Sequence, residues 1–174
     1  MKISYEIKQN KSNIFELSYI KDFLKITHDY EDMLLANLLN TSISYAEKLL
    51  RICITSSTIK ANIEESHKNI ILKYPSINSI LSIILKTKEM IEEDITENFG
   101  TADYQINKIT LADQFVGQNI CFNYQTGFAP DNIPPQIKQA ILLHLAKTYE
   151  QPANTSLIDK QIKELLIPYR IIKI

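Results

Sequence analysis

Along this chain the spacing of hydrophobic positions changes twice, from helical to alternating and back to helical. In Phe15 to Ile26, FELSYIKDFLKI, the residues Leu17, Ile20, Phe23 and Leu24 recur at helical spacing. Ser18 is placed to cap the start, so the segment predicts a short amphipathic helix. The stretch THDYEDMLLANLLNTSISYAEKLLRIC predicts a longer one. Leu35, Leu39, Ile43, Ala46, Leu50 and Cys53 fall at steps of three and four and form one apolar stripe, while Asn37, Ser44, Glu47, Lys48 and Arg51 lie largely off it. Thr27 or Asp29 can cap its start, and Asp29, Glu31 and Asp32 suit the positive end of the helix dipole.

The middle is strand-like. Ile70 to Leu72 and Ile77 to Leu85 are β-branched runs separated by Tyr74-Pro75-Ser76, where proline breaks any helix. Tyr104, Ile106 and Lys108 alternate with Gln105 and Asn107. Ile120, Phe122 and Tyr124 alternate with Asn119, Cys121 and Asn123, the pattern of a strand with two unlike faces. Thr87 to Gly100 reads as strand as well, although Met90, Ile91, Ile95 and Phe99 also fit a helical stripe. The back is helical again. Ile133-Pro134-Pro135 leads into QIKQAILLHLAKTYEQ, with proline in the first turn, where its missing donor costs little. Ile137, Ile141, Leu145 and Tyr149 mark the core side, and Gln151-Pro152 ends the helix. Ser156 and Asp159, at capping-box spacing, open a second helix whose apolar face is Ile158, Ile162, Leu165 and Leu166, until Pro168 stops it. The last residues, Tyr169-Arg170-Ile171-Ile172-Lys173-Ile174, form an extended apolar tail that needs a cover, either its own sheet or a neighbouring subunit.

These elements predict an α+β, mainly helical fold: a helical bundle built from the N- and C-terminal segments, with a strand-rich insertion between them. The 174 residues suit a single domain. Within it the expected parts are N-terminal helices over 15–54, the insertion over 68–126, and C-terminal helices and tail over 134–174.

Composition narrows the function by exclusion. With 45% hydrophobic and 22% charged residues the chain can bury a core. A net charge of −1 gives no general basic field for nucleic acid or an anionic membrane. No apolar run approaches the roughly 18 residues that span a bilayer. The N-terminus has no charged-then-apolar leader pattern, so a soluble protein made in a reducing cytoplasm is expected. Cys53 and Cys121 sit in apolar patterns far apart, which favours buried thiols over a disulfide.

Catalytic chemistry finds little to build on. His28, His67 and His144 lack metal-ligand spacing, and His144 reads as a packing or surface residue of its helix. Three glycines, Gly100, Gly117 and Gly127, allow neither a P-loop nor a dinucleotide fingerprint. No serine sits in GxSxG. Glu64-Glu65 and Glu92-Glu93-Asp94 read as solvated charge, and the lysines are scattered. No catalytic residue, metal or cofactor is therefore expected. Nine tyrosines with no tryptophan raise the question of a sticky interface. Tyr104 and Tyr124 are expected in a sheet core and Tyr149 on a helix face. Tyr169-Arg170, between a proline stop and an uncovered apolar end, fits either an interface or an intramolecular anchor.

Three segments in order resemble the head–tail connector proteins of tailed phages, prophages and gene-transfer particles. The first, FELSYIKDFLKITHDYEDMLLANLLNTSISYAEKLLR, is similar to the family's opening: a short helix ending in Leu24-Lys25-Ile26, then an acidic start and a long helix with Ala46-Glu47 near its end. The second, NYQTGFAPDNIPPQIKQAILLHLAKTYEQ, resembles the Tyr-x-x-Gly-aromatic turn followed by Pro, a Lys-Gln-Ala helix and Tyr-Glu, here Tyr124, Gly127, Phe128, Pro134, Lys138, Gln139, Ala140, Tyr149 and Glu150. The third, LLIPYRI, is similar to the family's Leu-Leu-x-Pro-Tyr-Arg close. Pro135 is an extra proline, and Ile52-Cys53-Ile54 stands where a Gly-Arg often ends the long helix.

The resemblance implies a structural, non-enzymatic virion protein at the head–tail neck. It implies a homo-oligomeric ring, commonly of twelve subunits, beneath the portal protein. Such a ring docks the next tail-completion or stopper protein and leaves a channel for double-stranded DNA without sequence-specific binding. The expected assembly contacts are Tyr169, Arg170, Ile171, Ile172 and Ile174. The alternatives are a soluble helical adaptor or regulator of a host protein, or an enzyme with no recognisable motif.

Overall fold

The structure, a computed structural model, describes residues 1–9, 14–74, 77–86, 92–104 and 106–170. Two compact units make up the chain. One comprises Met1–Lys11 with Thr55–Phe128, the other Ser12–Ile54 with Ala129–Ile174.

The first unit is built from strands, with one 3-10 turn at Asp113–Phe115 among its described residues. In chain order its strands are β1 (Lys2–Gln9), β2 (Ser57–Glu64), β3 (Asn69–Ile71), β4 (Ile77–Lys86), β5 (Glu92–Asp94), β6 (Gly100–Asp103), β7 (Lys108–Leu111) and β8 (Asn119–Thr126). They form a five-stranded sheet, β1-β2-β8-β4-β5, and a three-stranded sheet, β3-β7-β6, with every pair antiparallel. Alternation makes the larger sheet: Ser57, Ile59, Ala61 and Ile63 are buried along β2 and face Thr126, Tyr124, Phe122 and Ile120 of β8. Ile83 of β4 lies across from Phe122 on the far side, so Ala61, Phe122 and Ile83 form one buried row. Ile3, Tyr5 and Ile7 of β1 are in register with Ile63, Ala61 and Ile59, extending the same face to the edge.

The second unit is helical: α1 (Leu17–Leu24), α2 (Asp32–Leu50), α3 (Pro135–Glu150) and α4 (Ser156–Leu166), followed by a single 3-10 turn over Ile167–Tyr169. Leu35, Leu39, Ser42, Ala46 and Leu50 are the buried stripe of α2, and Ile137, Ala140, Ile141, Leu142 and Leu145 that of α3. The extra proline has a simple place. Pro135 is the first residue of α3 and Pro134 its cap, so neither removes a helical donor. Three helices end on left-handed residues that are not glycine, Lys25, Arg51 and Gln151.

The fold is α+β, but the expectation of a mainly helical bundle fails. The described residues hold four α-helices and eight strands, and the sheets form a unit of their own. The excess strand comes from β1 and β2, neither of which the hydrophobic count had favoured. In both, polar residues hold every second position, Lys2, Ser4, Glu6 and Lys8 in one and Thr58, Lys60, Asn62 and Glu64 in the other, so neither strand contains an apolar run. Smaller corrections follow the same logic. Tyr104 to Lys108 is not one strand. Tyr104, Ile106 and Asn107 lie between β6 and β7, with Asn107 left-handed at φ 55°, a conformation asparagine tolerates. Lys108 opens β7, and Gln105 lies outside the described residues. Tyr104 is accordingly exposed rather than in a sheet core, whereas Tyr124 is fully buried. Glu92–Asp94 is strand, while 87–91 lie outside the described residues. Ser18 is inside α1 and does not cap it; Glu16 stands at that position. Thr155, not Ser156, precedes α4, and its hydroxyl donates to Asp159 at 3.1 Å. Cys53 and Cys121 are buried and form no disulfide.

Candidate assembly surfaces

The helical unit is held by polar contacts set between its apolar stripes. His144 of α3 stacks on Tyr45 of α2, ring centroids 4.1 Å apart, and its Nδ1 lies 2.9 Å from Ser42 Oγ. The Ser42 hydroxyl donates to the Leu38 carbonyl at 2.8 Å, so the hydrogen between the two side chains belongs to His144. A histidine that donates to a serine cannot take that serine's proton, and the pair is a packing bond rather than a nucleophile with its base. Burial, helped by the Lys147 charge, holds His144 below its ordinary 6.5. Lys147 bonds Asp159 across α3 and α4, and this hydrogen bond keeps the Asp159 carboxyl below the usual range. At the start of α2, Tyr149 donates to Glu31 at 2.8 Å, and the His28 ring stacks on Tyr30.

Two apolar surfaces of this unit stand open among the described residues. One is at the end of α2, where Leu49, Leu166 and Ile167 line an apolar groove of about 280 Å³ rimmed by Lys163 and Arg170. A 3-10 turn at Ile167–Tyr169 follows α4 and supplies Ile167 to the groove. The other is on α1, where Tyr19 and Phe23, one helical turn apart, are 52% and 38% exposed. Phe15 stacks face to face on Tyr19 with centroids 5.5 Å apart, and Tyr30 and Met33 stand exposed at the start of α2.

Of the residues singled out at the C-terminus, Tyr169 is half-buried and donates to Gln136 Oε1 of α3 at 2.9 Å. That bond ties the turn after α4 to α3. Arg170 is exposed and lines the groove. Ile171, Ile172 and Ile174 lie outside the described residues. The α1 surface was not legible from hydrophobic spacing, which had assigned Phe23 to the buried stripe. Tyr19 and Phe23 flank Ile20, the buried residue of that helix, so spacing alone does not separate them from the buried stripe. Among the described residues there is no group of three or more side chains that could hold a metal, and no helix long and apolar enough to cross a membrane.

No family model and no curated protein matches the sequence. Solved structures do match the fold. A chain in the neck of an empty GTA particle, computed with C6 symmetry, superposes with a TM-score of 0.79 at 14% identity, over 97% of this chain and 97% of that one. A chain of the virion of a native gene transfer agent (GTA) particle gives 0.76 at 14% identity, over 97% and 96% of the two chains. A chain in the neck of a native GTA particle computed with C12 symmetry gives 0.71 at 12% identity, over 97% of each. The chain therefore shares its whole fold, sheets and helices together, with chains of those particles.

Proposed function

We propose that this protein is a structural subunit of the neck of a phage-like particle, assembling as a ring beneath the portal and joining head to tail. The observation that carries the reading is likeness of fold over 97% of both chains to a chain from the neck of a GTA particle. Independent support comes from the three sequence segments similar to head–tail connectors. Those segments fall in α1–α2, in the end of β8 with α3, and in the end of α4 with the turn after it. In this role the whole chain, 1–174, acts as one connector, and the ring has about twelve subunits around a channel that passes double-stranded DNA. A tail-completion protein docks on its far side. The role is mechanical and needs no cofactor.

The C-terminal segment is the proposed contact with the portal or an adjacent subunit. Tyr169 anchors it to α3 and leaves Arg170 exposed, followed by the apolar Ile171, Ile172 and Ile174. Removing 171–174 is expected to leave a folded protein that no longer joins portal particles. Retained assembly would remove the segment from the account. Arg170→Lys is expected to weaken assembly, because lysine cannot reproduce the two-pronged pairing of guanidinium.

Deletion of the gene from a producing cell tests the role as a whole. The expected result is filled or empty heads without tails, restored by supplying the gene in trans. Fully tailed particles from the deletion strain would overturn the reading.

A further inference from the structure

The two ends of α2 differ in chemistry, and the difference carries an inference that rests on the ring reading and deepens it. At the N-terminal end, α1 presents Tyr19 and Phe23 to solvent, with Glu16 and Asp22 exposed beside them on the same side of the helix. Across residues 16–32 five carboxylates stand against two lysines, Lys21 and Lys25. Lys21 is already committed to Asp29 and Asp32. At the C-terminal end the groove of Leu49, Leu166 and Ile167 is rimmed by Lys163 and Arg170, with Arg51 exposed two residues past Leu49. Across 47–51 and 160–170 five cations stand against two carboxylates. Both of those are engaged, Glu47 by the Ile54 N–H at 2.8 Å and Glu164 by Lys160 at 3.9 Å. Arg51 and Arg170 are the only arginines in a chain with 19 lysines and arginines in all, and both fall at this end.

We infer that the α1 strip of one subunit docks in the α2–α4 groove of the next copy. Tyr19 and Phe23 lie against Leu49, Leu166 and Ile167, while Arg170 and Lys163 meet Glu16 and Asp22. Guanidinium is attracted both to a carboxylate and to an aromatic face, and the strip offers both. Charge also selects the symmetry. Strip against strip would oppose carboxylates and groove against groove would oppose cations, so a two-fold pairing is disfavoured and a head-to-tail one favoured. A head-to-tail contact between two different surfaces is the kind that closes into a ring. A single chain cannot satisfy itself. The 19 residues of α2 span about 28 Å at 1.5 Å per residue, and the two surfaces lie at its opposite ends.

The test uses charge exchange, with the full chain co-expressed with the portal protein and rings counted by electron microscopy. One variant carries Glu16→Lys and Asp22→Lys, the other Lys163→Glu and Arg170→Glu. Circular dichroism checks that both are folded. Each variant alone is expected to lose the ring, because its strip meets a groove of like charge. An equal mixture of the two is expected to recover it, since each strip then finds an opposite groove on the other variant. Normal rings from either variant alone would overturn the inference. So would loss in the groove variant alone, which would assign the groove to the portal or to residues 171–174. If the wild-type protein forms no ring on the portal, the ring reading has failed first and this contact falls with it.

Discussion

His144 Nδ1 and Ser42 Oγ lie 2.9 Å apart, and the bond between them joins α3 to α2 inside the helical unit. It matters for pH because His144 is held neutral there. Burial, with the Lys147 charge second, lowers its pKa below the 6.5 of the unfolded chain. The unfolded state therefore takes up a proton first as pH falls. The stability this site contributes is complete above pH 6.5 and declines as pH drops through that value toward the folded pKa. Urea midpoints at pH 7.5 and pH 5 should fall further apart for the wild-type protein than for His144→Gln. Equal differences in the two proteins would mean that His144 titrates alike in the folded and unfolded chains.

Gln151 ends α3 in the left-handed conformation at φ 46°, and it is exposed. A side chain in that region is disfavoured, whereas glycine takes it without steric cost. Gln151→Gly is expected to raise stability by roughly 0.5–1 kcal/mol, since the relief of strain exceeds the added freedom of the unfolded chain. Thermal unfolding checks it. A lower midpoint would show that the Gln151 side chain makes a contact worth more than the strain.

Gly127 behaves in the opposite way. It has φ +91°, and a Cβ there would sit 2.3 Å from the Thr55 carbonyl oxygen, where Thr55 bridges to Phe128 beside the end of β8. Its own carbonyl accepts from Asn78 Nδ2 at 2.6 Å, so the turn is held from both sides. Gly127→Ala is expected to destabilise the strand unit by about 2 kcal/mol or more. A wild-type denaturation midpoint for this variant would contradict the placement of the turn.

Much of the helical unit could be read from the sequence, because its signals are local. The stripe of Leu35, Leu39, Ala46 and Leu50 and the Pro134-Pro135 entry to α3 each specify structure within a few turns. The sheet unit could not be read so well, because its pairings are not local. β1 finds β2 across more than forty intervening residues, and Lys2, Glu6 and Lys60 look like loop residues until the register places them on a solvated face. Ser42 shows the same limit at a single position. It is buried in the middle of a helix stripe, where besides the Leu38 carbonyl its second hydrogen-bond partner is His144, far along the chain. Of the candidate surfaces, Arg170 was visible as a rare arginine in a lysine-rich chain. The α1 strip was not, since an exposed Phe23 and a buried one occupy the same place in a helical pattern.

The proposal that this chain builds the ring between portal and tail is tested by electron microscopy of the protein co-expressed with the portal protein encoded nearest its gene. The expected result is a second ring stacked on the narrow end of the portal, with the subunit count read from its rotational symmetry. Intact portal rings that carry no density from this protein would contradict it.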